Sequence, residues 1–242
     1  DTKNEINRLG ATYCFILGNT GAVSNNVKNQ ILNRTSISSI TRIGGINRYE
    51  TAQIISEKLE QKNGSIDTAV IATGENYPDA LSVSPLAGFK GYPILLTLKD
   101  TIPSYTQQAL DDLGITDTII TGGTGVVSNS IQNQLPSPIR KSGANRYATS
   151  AEIARYAITL GLSWDTMLIA TGDNYPDALT GGAFGSRIGA PMLLVNPNNL
   201  DSSPEIKNLI VSNKTKADRV IILGETGAVS ANVESQLESI FN

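Results

Sequence analysis

Short apolar runs bounded by glycine or proline alternate along the chain with stretches whose apolar residues recur at helical spacing. Thr68-Ala-Val-Ile-Ala-Thr73, Pro93-Ile-Leu-Leu-Thr97 and Thr118-Ile-Ile-Thr121 are continuous rather than alternating. That pattern predicts strands buried on both faces of a parallel sheet. Between such runs, Thr51-Ala-Gln-Ile-Ile-Ser-Glu-Lys-Leu59 sets Ala52, Ile55 and Leu59 on one helical stripe. Helix and strand in alternation predict an α/β layer architecture with right-handed crossovers. No apolar stretch is long enough to span a bilayer.

The pattern repeats. Arg42-Ile-Gly-Gly-Ile-Asn-Arg-Tyr-Glu-Thr51 returns 98 positions on as Arg140-Lys-Ser-Gly-Ala-Asn-Arg-Tyr-Ala-Thr149. At the same offset, Ala72-Thr-Gly-Glu-Asn-Tyr-Pro-Asp-Ala-Leu81 returns as Ala170-Thr-Gly-Asp-Asn-Tyr-Pro-Asp-Ala-Leu179, and Tyr92-Pro-Ile-Leu-Leu-Thr97 as Ala190-Pro-Met-Leu-Leu-Val195. A glycine block occurs three times, as Leu17-Gly-Asn-Thr-Gly-Ala-Val-Ser24, Thr121-Gly-Gly-Thr-Gly-Val-Val-Ser128 and Leu223-Gly-Glu-Thr-Gly-Ala-Val-Ser230. Ordered blocks at near-constant spacing define a unit of about a hundred residues, the size of a small domain. Each unit reads as a small Rossmann-like sandwich of two or three layers. The divisions fall at residues 1–38, 39–135 and 136–242. The first of these is the second half of a unit, because neither the Asn-Arg-Tyr nor the Asn-Tyr-Pro-Asp block has a copy before Arg42. No signal-peptide pattern opens the chain, so Asp1 reads as a processed end or the edge of a fragment. A second chain or segment is expected to complete the half unit, whose sheet edge would otherwise stay open.

Composition narrows the chemistry. The 242 residues include no histidine and one cysteine, so triads and zinc sites built on imidazole are excluded, as is an intrachain disulfide. Cys14 sits in the apolar run Tyr13–Leu17 and reads as a buried structural thiol. A formal net charge of −3 lacks the basic surplus of a nucleic-acid-binding domain.

Several blocks remain as candidate sites. The glycine loops follow strands and open helices, a context that can cradle an anion on backbone N–H groups. They match a nucleotide loop poorly, and tight turns followed by helix caps at Ser24, Ser128 and Ser230 explain them. Asn47 and Asn145 are placed to cap the helices they precede, with Glu50 completing a capping-box pattern in one copy only. Arg48 and Arg146 then fall in the first helical turn, where a cation is poorly placed unless it meets a carboxylate or an external anion. Arg42 and Arg140 lie six residues earlier, at a strand end near the same loop. Pro78 and Pro176 suit first helical positions, and Asp79 and Asp177 suit the positive helix end. One carboxylate per unit gives little support for acid–base or metal catalysis; a supporting role paired with Arg48 or Arg146 is expected for both aspartates. Tyr49, Tyr147, Tyr77 and Tyr175 can stack on sugar rings or pack between units. Trp164 reads as a surface or edge anchor, and Asn196–Asn199 as an ordinary turn.

Together, the Arg42–Ala52 block, the two Ala-Thr-Gly-x-Asn-Tyr-Pro-Asp-Ala-Leu runs and the Gly-x-Thr-Gly-x-Val-Ser loops resemble the type 2 cell wall-binding repeat of Gram-positive, especially clostridial, cell-wall and S-layer proteins. The resemblance spans nearly the whole chain. It implies tandem Rossmann-like or Toprim-like α/β modules with small parallel sheets, packed as a pseudo-threefold trimer. It further implies a non-enzymatic, extracellular surface module without cofactor or metal. Such a module anchors its protein non-covalently to an anionic secondary cell-wall polymer, a polysaccharide or teichoic-acid-like chain. Polymer contacts would lie on or near Arg42, Asn47, Arg48, Tyr49, Arg140, Asn145, Arg146 and Tyr147, with the loops of Asn76 and Asn174 beside them. The alternatives are a self-assembly module of a surface layer and a wall-modifying hydrolase.

Overall fold

The computed structural model describes residues 1–242. In chain order the elements are α1 (Thr2–Leu9), β1 (Tyr13–Leu17), α2 (Asn25–Arg34), β2 (Ser39–Ile43), α3 (Arg48–Asn63), β3 (Thr68–Thr73), α4 (Pro78–Lys90) and β4 (Ile94–Thr97). They continue with α5 (Ser104–Asp112), β5 (Asp117–Thr121), α6 (Asn129–Gln132), β6 (Pro138–Lys141), α7 (Arg146–Thr159), β7 (Thr166–Thr171) and α8 (Pro176–Ile188). The last are β8 (Met192–Val195), α9 (Pro204–Asn213), β9 (Arg219–Ile222) and α10 (Ala231–Phe241). The three apolar runs singled out from the sequence are the strands β3, β4 and β5, and every strand pairing is parallel.

Three sheets form, ordered β1-β2, β4-β3-β5-β6 and β8-β7-β9. The strand that opens a sequence repeat does not pair within that repeat. Instead β2 lies beside β1, with Ile16 opposite Arg42, and β6 beside β5, with Ile120 opposite Arg140. The sequence divisions at 38/39 and 135/136 therefore run between paired strands, and the second and third units each lend their first strand to the sheet before them.

The apolar cores follow from this interlocking. One cluster, including Ile71, Leu95, Ile120, Val127 and Ile131, fills the second unit, and another, including Met167, Ile169, Leu193, Ile206 and Val233, fills the third. Two more cross between them. Val70, Val83, Leu86 and Ile119 pack on Ile153, Ala157 and Leu162 of the third unit, while Leu81 inserts among Ala170, Ala178, Met192 and Leu194. The closest approaches between α4 and α8 need small residues: a Cβ on Gly88 would meet the Ser186 side chain at 2.6 Å.

Some sequence expectations change. Trp164 is buried in the third core beside Met167 and Leu209, because the turn that carries it is folded under α9. On α3 the buried positions are Gln53 and Ser56; Ala52, Ile55 and Leu59 are half-buried. Positions 53 and 56 correspond to the buried Ala151 and Ala154 of α7, so the same helix face turns inward in both copies even where its residues are polar. Cys14 is half-buried rather than enclosed, on a two-stranded sheet that leaves Tyr13, Phe15 and Leu17 exposed. No helix is long and apolar enough to cross a membrane.

Candidate functional site

Each glycine block leaves its strand through a residue with positive φ: Gly18 at 97°, Gly122 at 103° and Gly224 at 95°. Such backbone favours glycine and turns the chain sharply. Ser24, Ser128 and Ser230 then accept from the N–H groups of Val27, Ile131 and Val233, as helix caps. The lent strands brace these turns. Arg140 Nη1 donates to the Gly122 carbonyl at 2.7 Å and its Nε to Gln132 Oε1 at 2.9 Å. Arg42 Nη1 likewise donates to the Gly18 carbonyl at 2.7 Å. Burial pushes the Arg140 guanidinium below its ordinary range. Both arginines thus spend donors on internal carbonyls.

The Asn-Arg-Tyr block wraps the next helix start. Asn47 Oδ1 accepts from the N–H groups of Tyr49 and Glu50 at 2.9 and 3.0 Å, and Asn145 Oδ1 from those of Tyr147 and Ala148 at 2.9 Å each. Thr51 and Thr149 accept from Gly45 and Gly143 N–H at 3.0 Å. Glu50 accepts from Ile46 N–H, one position before the cap. Arg48 donates to the Gly74 carbonyl, and Arg146 Nη1 to that of Gly172 at 2.5 Å. The adjacent tyrosine rings lie on these same glycines, so a Cβ at Gly74 or Gly172 would sit 2.7 Å from Tyr49 Cε1 or Tyr147 Cε1. The Asn-Arg-Tyr and Ala-Thr-Gly blocks therefore recur together because they touch.

The expected pairing of Asp79 and Asp177 with Arg48 and Arg146 is replaced by another arrangement. Arg146 Nη1 lies 3.5 Å from Asp173 Oδ1, and Tyr147 Oη donates to the same carboxylate oxygen at 3.2 Å. Burial above all, and then that carboxylate, raise the Tyr147 phenol above its ordinary range. Asp79 and Asp177 instead press against Gly122 and Gly224 of their own units; a Cβ on Gly224 would meet Asp177 Oδ2 at 2.5 Å. The aspartates start α4 and α8, whose first turns point at the glycine loops, and the arginines are held back by carbonyls. Burial pushes the Asp79 carboxyl above its ordinary range, and the Arg146 charge partly offsets this.

Asp79, the loop Gly123–Val126 and the first turn of α7 enclose an open cleft of about 410 Å³ between the second and third units. Asn76, Asn145 and Arg146 line it too. Asn76 accepts from Tyr77 N–H at 2.9 Å and Asn174 from Tyr175 N–H at 2.9 Å, both at exposed loops. Tyr77 and Tyr175 pack between units, ring centroids 5.4 Å apart, and Tyr77 Oη donates to the Asp173 carbonyl at 2.8 Å. Asn47, Arg48 and Tyr49 stand at the preceding joint, where Gly44 lies against the backbone of Gly18 and Asn19. Sequence spacing had marked Asn76, Asn145 and Arg146 without bringing them to one cleft with Asp79 and the glycine loop. Only the lent strand does that. No three Asp, Glu or Cys side chains converge as metal ligands.

Comparison with known proteins agrees with this architecture. The profile of the family described as cell wall binding domain 2 (CWB2) matches residues 42–132 and 140–234, each match opening at the arginine of a lent strand. The chain is 38% identical over 239 residues to N-acetylmuramoyl-L-alanine amidase LytC of Bacillus subtilis, covering 99% of this chain and 46% of that protein. It is 32% identical over 243 residues to the amidase enhancer of the same organism, covering 99% of this chain and 32% of that one. It therefore spans less than half the length of either. The solved structure of Cwp6 from Clostridium difficile superposes with a TM-score of 0.81 at 27% identity, covering 93% of this chain and 35% of Cwp6. With two ordered matches spread over most of its length, the chain belongs to the cell wall binding domain 2 family.

Proposed function

We propose that this cell wall-binding chain anchors a surface protein outside the cell by gripping an anionic wall polymer, a polysaccharide or teichoic-acid-like chain, in the cleft between its second and third units. The observation that carries the reading is the meeting of Arg146, Asn145 and the glycine loop Gly123–Val126 at one open, polar cleft. Arg146 offers a cation half-exposed to solvent, its side chain retaining 37% of full exposure. Its guanidinium suits a phosphate or carboxylate, and Asp79 and Asn76 suit the hydroxyls of an adjoining sugar. Arg42 and Arg140, which brace the glycine turns, support the loops in this reading; Arg146, one nitrogen of which is held by the Gly172 carbonyl, lines the cleft and supplies the contact with Asn145. The role is binding without turnover: the matched region is the family's wall-binding part, and the chain covers 46% of the amidase it resembles. The polymer repeats, so weak sites in linked units add avidity.

Co-sedimentation with purified Gram-positive walls, before and after acid extraction of the secondary polymer, tests this. Wild-type protein is expected to sediment with intact walls, less at high salt, and to stay in solution after extraction. Arg146→Gln is expected to lose wall binding, while Arg155→Gln, at an exposed pair with Glu152, keeps it. Undiminished binding to extracted walls, or by Arg146→Gln, would refute the polymer cleft.

A further inference from the structure

Two carboxylates act on Arg146, and their surroundings differ. Asp173 Oδ1 lies 3.5 Å from Arg146 Nη1, accepts from Tyr147 Oη at 3.2 Å, and is not part of the cleft wall. Asp79 is part of that wall and has neither kind of partner. No N–H or O–H of the chain donates to it, and its Oδ2 rests against Gly122. An anion drawn to Arg146 thus arrives beside a carboxyl group that the protein itself leaves without a hydrogen bond.

Among the residues lining the cleft, Asp79 and Arg146 alone carry charge. An ionised Asp79 offsets the cation that a polyanion seeks and repels the polyanion directly. A neutral Asp79 does the opposite, because its O–H becomes a donor that an oxygen of the polymer can accept. Burial favours the neutral form, and Arg146 is the one charge that opposes it. The elements packed around Asp79 present few other charges. Glu75 is exposed in the loop ahead of α4, and Lys99 is exposed where its carbonyl accepts from Ser128 N–H at 2.9 Å. On β6, Arg140 donates to the Gly122 carbonyl and to Gln132, while the Lys141 ammonium lies 4.0 Å over the Tyr156 ring.

We propose that Asp79 takes part in polymer binding as the neutral acid, so that the cleft takes up a proton with the anion it grips and loosens its hold as pH rises. This inference rests on the polymer reading and adds its regulation. By linkage, the bound anion holds the proton on Asp79 as firmly as the proton holds the anion. Affinity therefore rises as pH falls from the point where Asp79 ionises in the complex to the point where it ionises in the free chain. Outside that window it is level.

The test is calorimetric titration of the whole chain with secondary polymer extracted from Gram-positive walls, at constant ionic strength and in pairs of buffers with different ionisation heats. Wild type is expected to bind about threefold or more tighter at about pH 5 than at about pH 8, within the tenfold per pH unit that one proton allows, and to take up protons on binding. Asp79→Asn keeps a donor without the charge. It should lose both the slope and the proton uptake, and bind at the alkaline end as tightly as wild type does in acid. Asp177→Asn removes the same charge at the equivalent place against Gly224, away from the cleft, and should keep the wild-type slope. Wild-type binding that ignores pH, a slope shared with Asp79→Asn, or a slope lost in Asp177→Asn as well would overturn the proposal. So would Asp79→Asn binding more weakly than wild type at every pH, which would make the ionised carboxylate the contact. No wild-type binding at any pH would overturn the polymer reading too, so the two failures are distinguishable.

Discussion

Replacing Arg140 by methionine separates bracing from polymer contact. The change keeps the apolar stem and removes two short hydrogen bonds, to the Gly122 carbonyl at 2.7 Å and to Gln132 Oε1 at 2.9 Å, along with a long one to the Ser128 carbonyl at 3.4 Å. Hydrogen bonds to a charged group contribute roughly 1.5–3 kcal/mol each. Against the two short ones stands the desolvation that already depresses the Arg140 pKa, which methionine no longer incurs. The net loss is about 2 kcal/mol. For a chain of this size that lowers Tm by about 4–8 °C. Differential scanning calorimetry reads the shift, and wall co-sedimentation well below Tm reads binding. The expected result is a less stable protein that still binds. An unchanged Tm with lost binding would refute the bracing role and return Arg140 to the polymer contacts expected from sequence.

Other outcomes follow from the same geometry. Asp79 has a raised carboxyl pKa in the folded chain, so wild-type stability falls as pH rises from the unfolded carboxylate range through the folded value. Asp79→Asn should therefore gain stability over wild type toward neutral pH and show no pH-dependent gain in acid; Tm differences that stay constant between about pH 3 and 7 would contradict this. Leu81→Ala empties a site buried among Ala170, Ala178, Met192 and Leu194, and should cost about 2–5 kcal/mol in urea unfolding. Gly172→Ala should crowd Tyr147 and lower Tm, while Gly123→Ala, with open space around its Cβ position, should leave Tm within about 1–2 °C of wild type.

The repeats and the parallel strands were legible because burial on both faces writes continuous apolar runs, and tandem duplication writes them twice. Helix starts were legible for local reasons: Asn47, Asn145 and the three serines cap within three residues of themselves. Sheet membership was not. Ser39–Ile43 reads as a strand, yet nothing local says that it pairs with Tyr13–Leu17 rather than with Thr68–Thr73. The arginine roles were hidden for the same reason, since a guanidinium at a strand end looks alike whether it faces a carbonyl or a polymer. Trp164 occurs once, so no second copy revealed that α9 covers it. The cleft at Asp79 depends on two units meeting, which spacing alone does not encode.

The strand lent by each unit also decides how the chain bears a pull. A protein tethered to a wall is loaded along its backbone, and modules joined by loose linkers would come away singly. Here β6 lies parallel to β5, so separating the second and third units means sliding one strand along the other. Hydrogen bonds arranged that way share the load and give together, whereas a hairpin opened from its end gives bond by bond. Arg140 and the Leu81 cluster reinforce the same seam. Under tension the joint between units is thus a shear lap rather than a zipper.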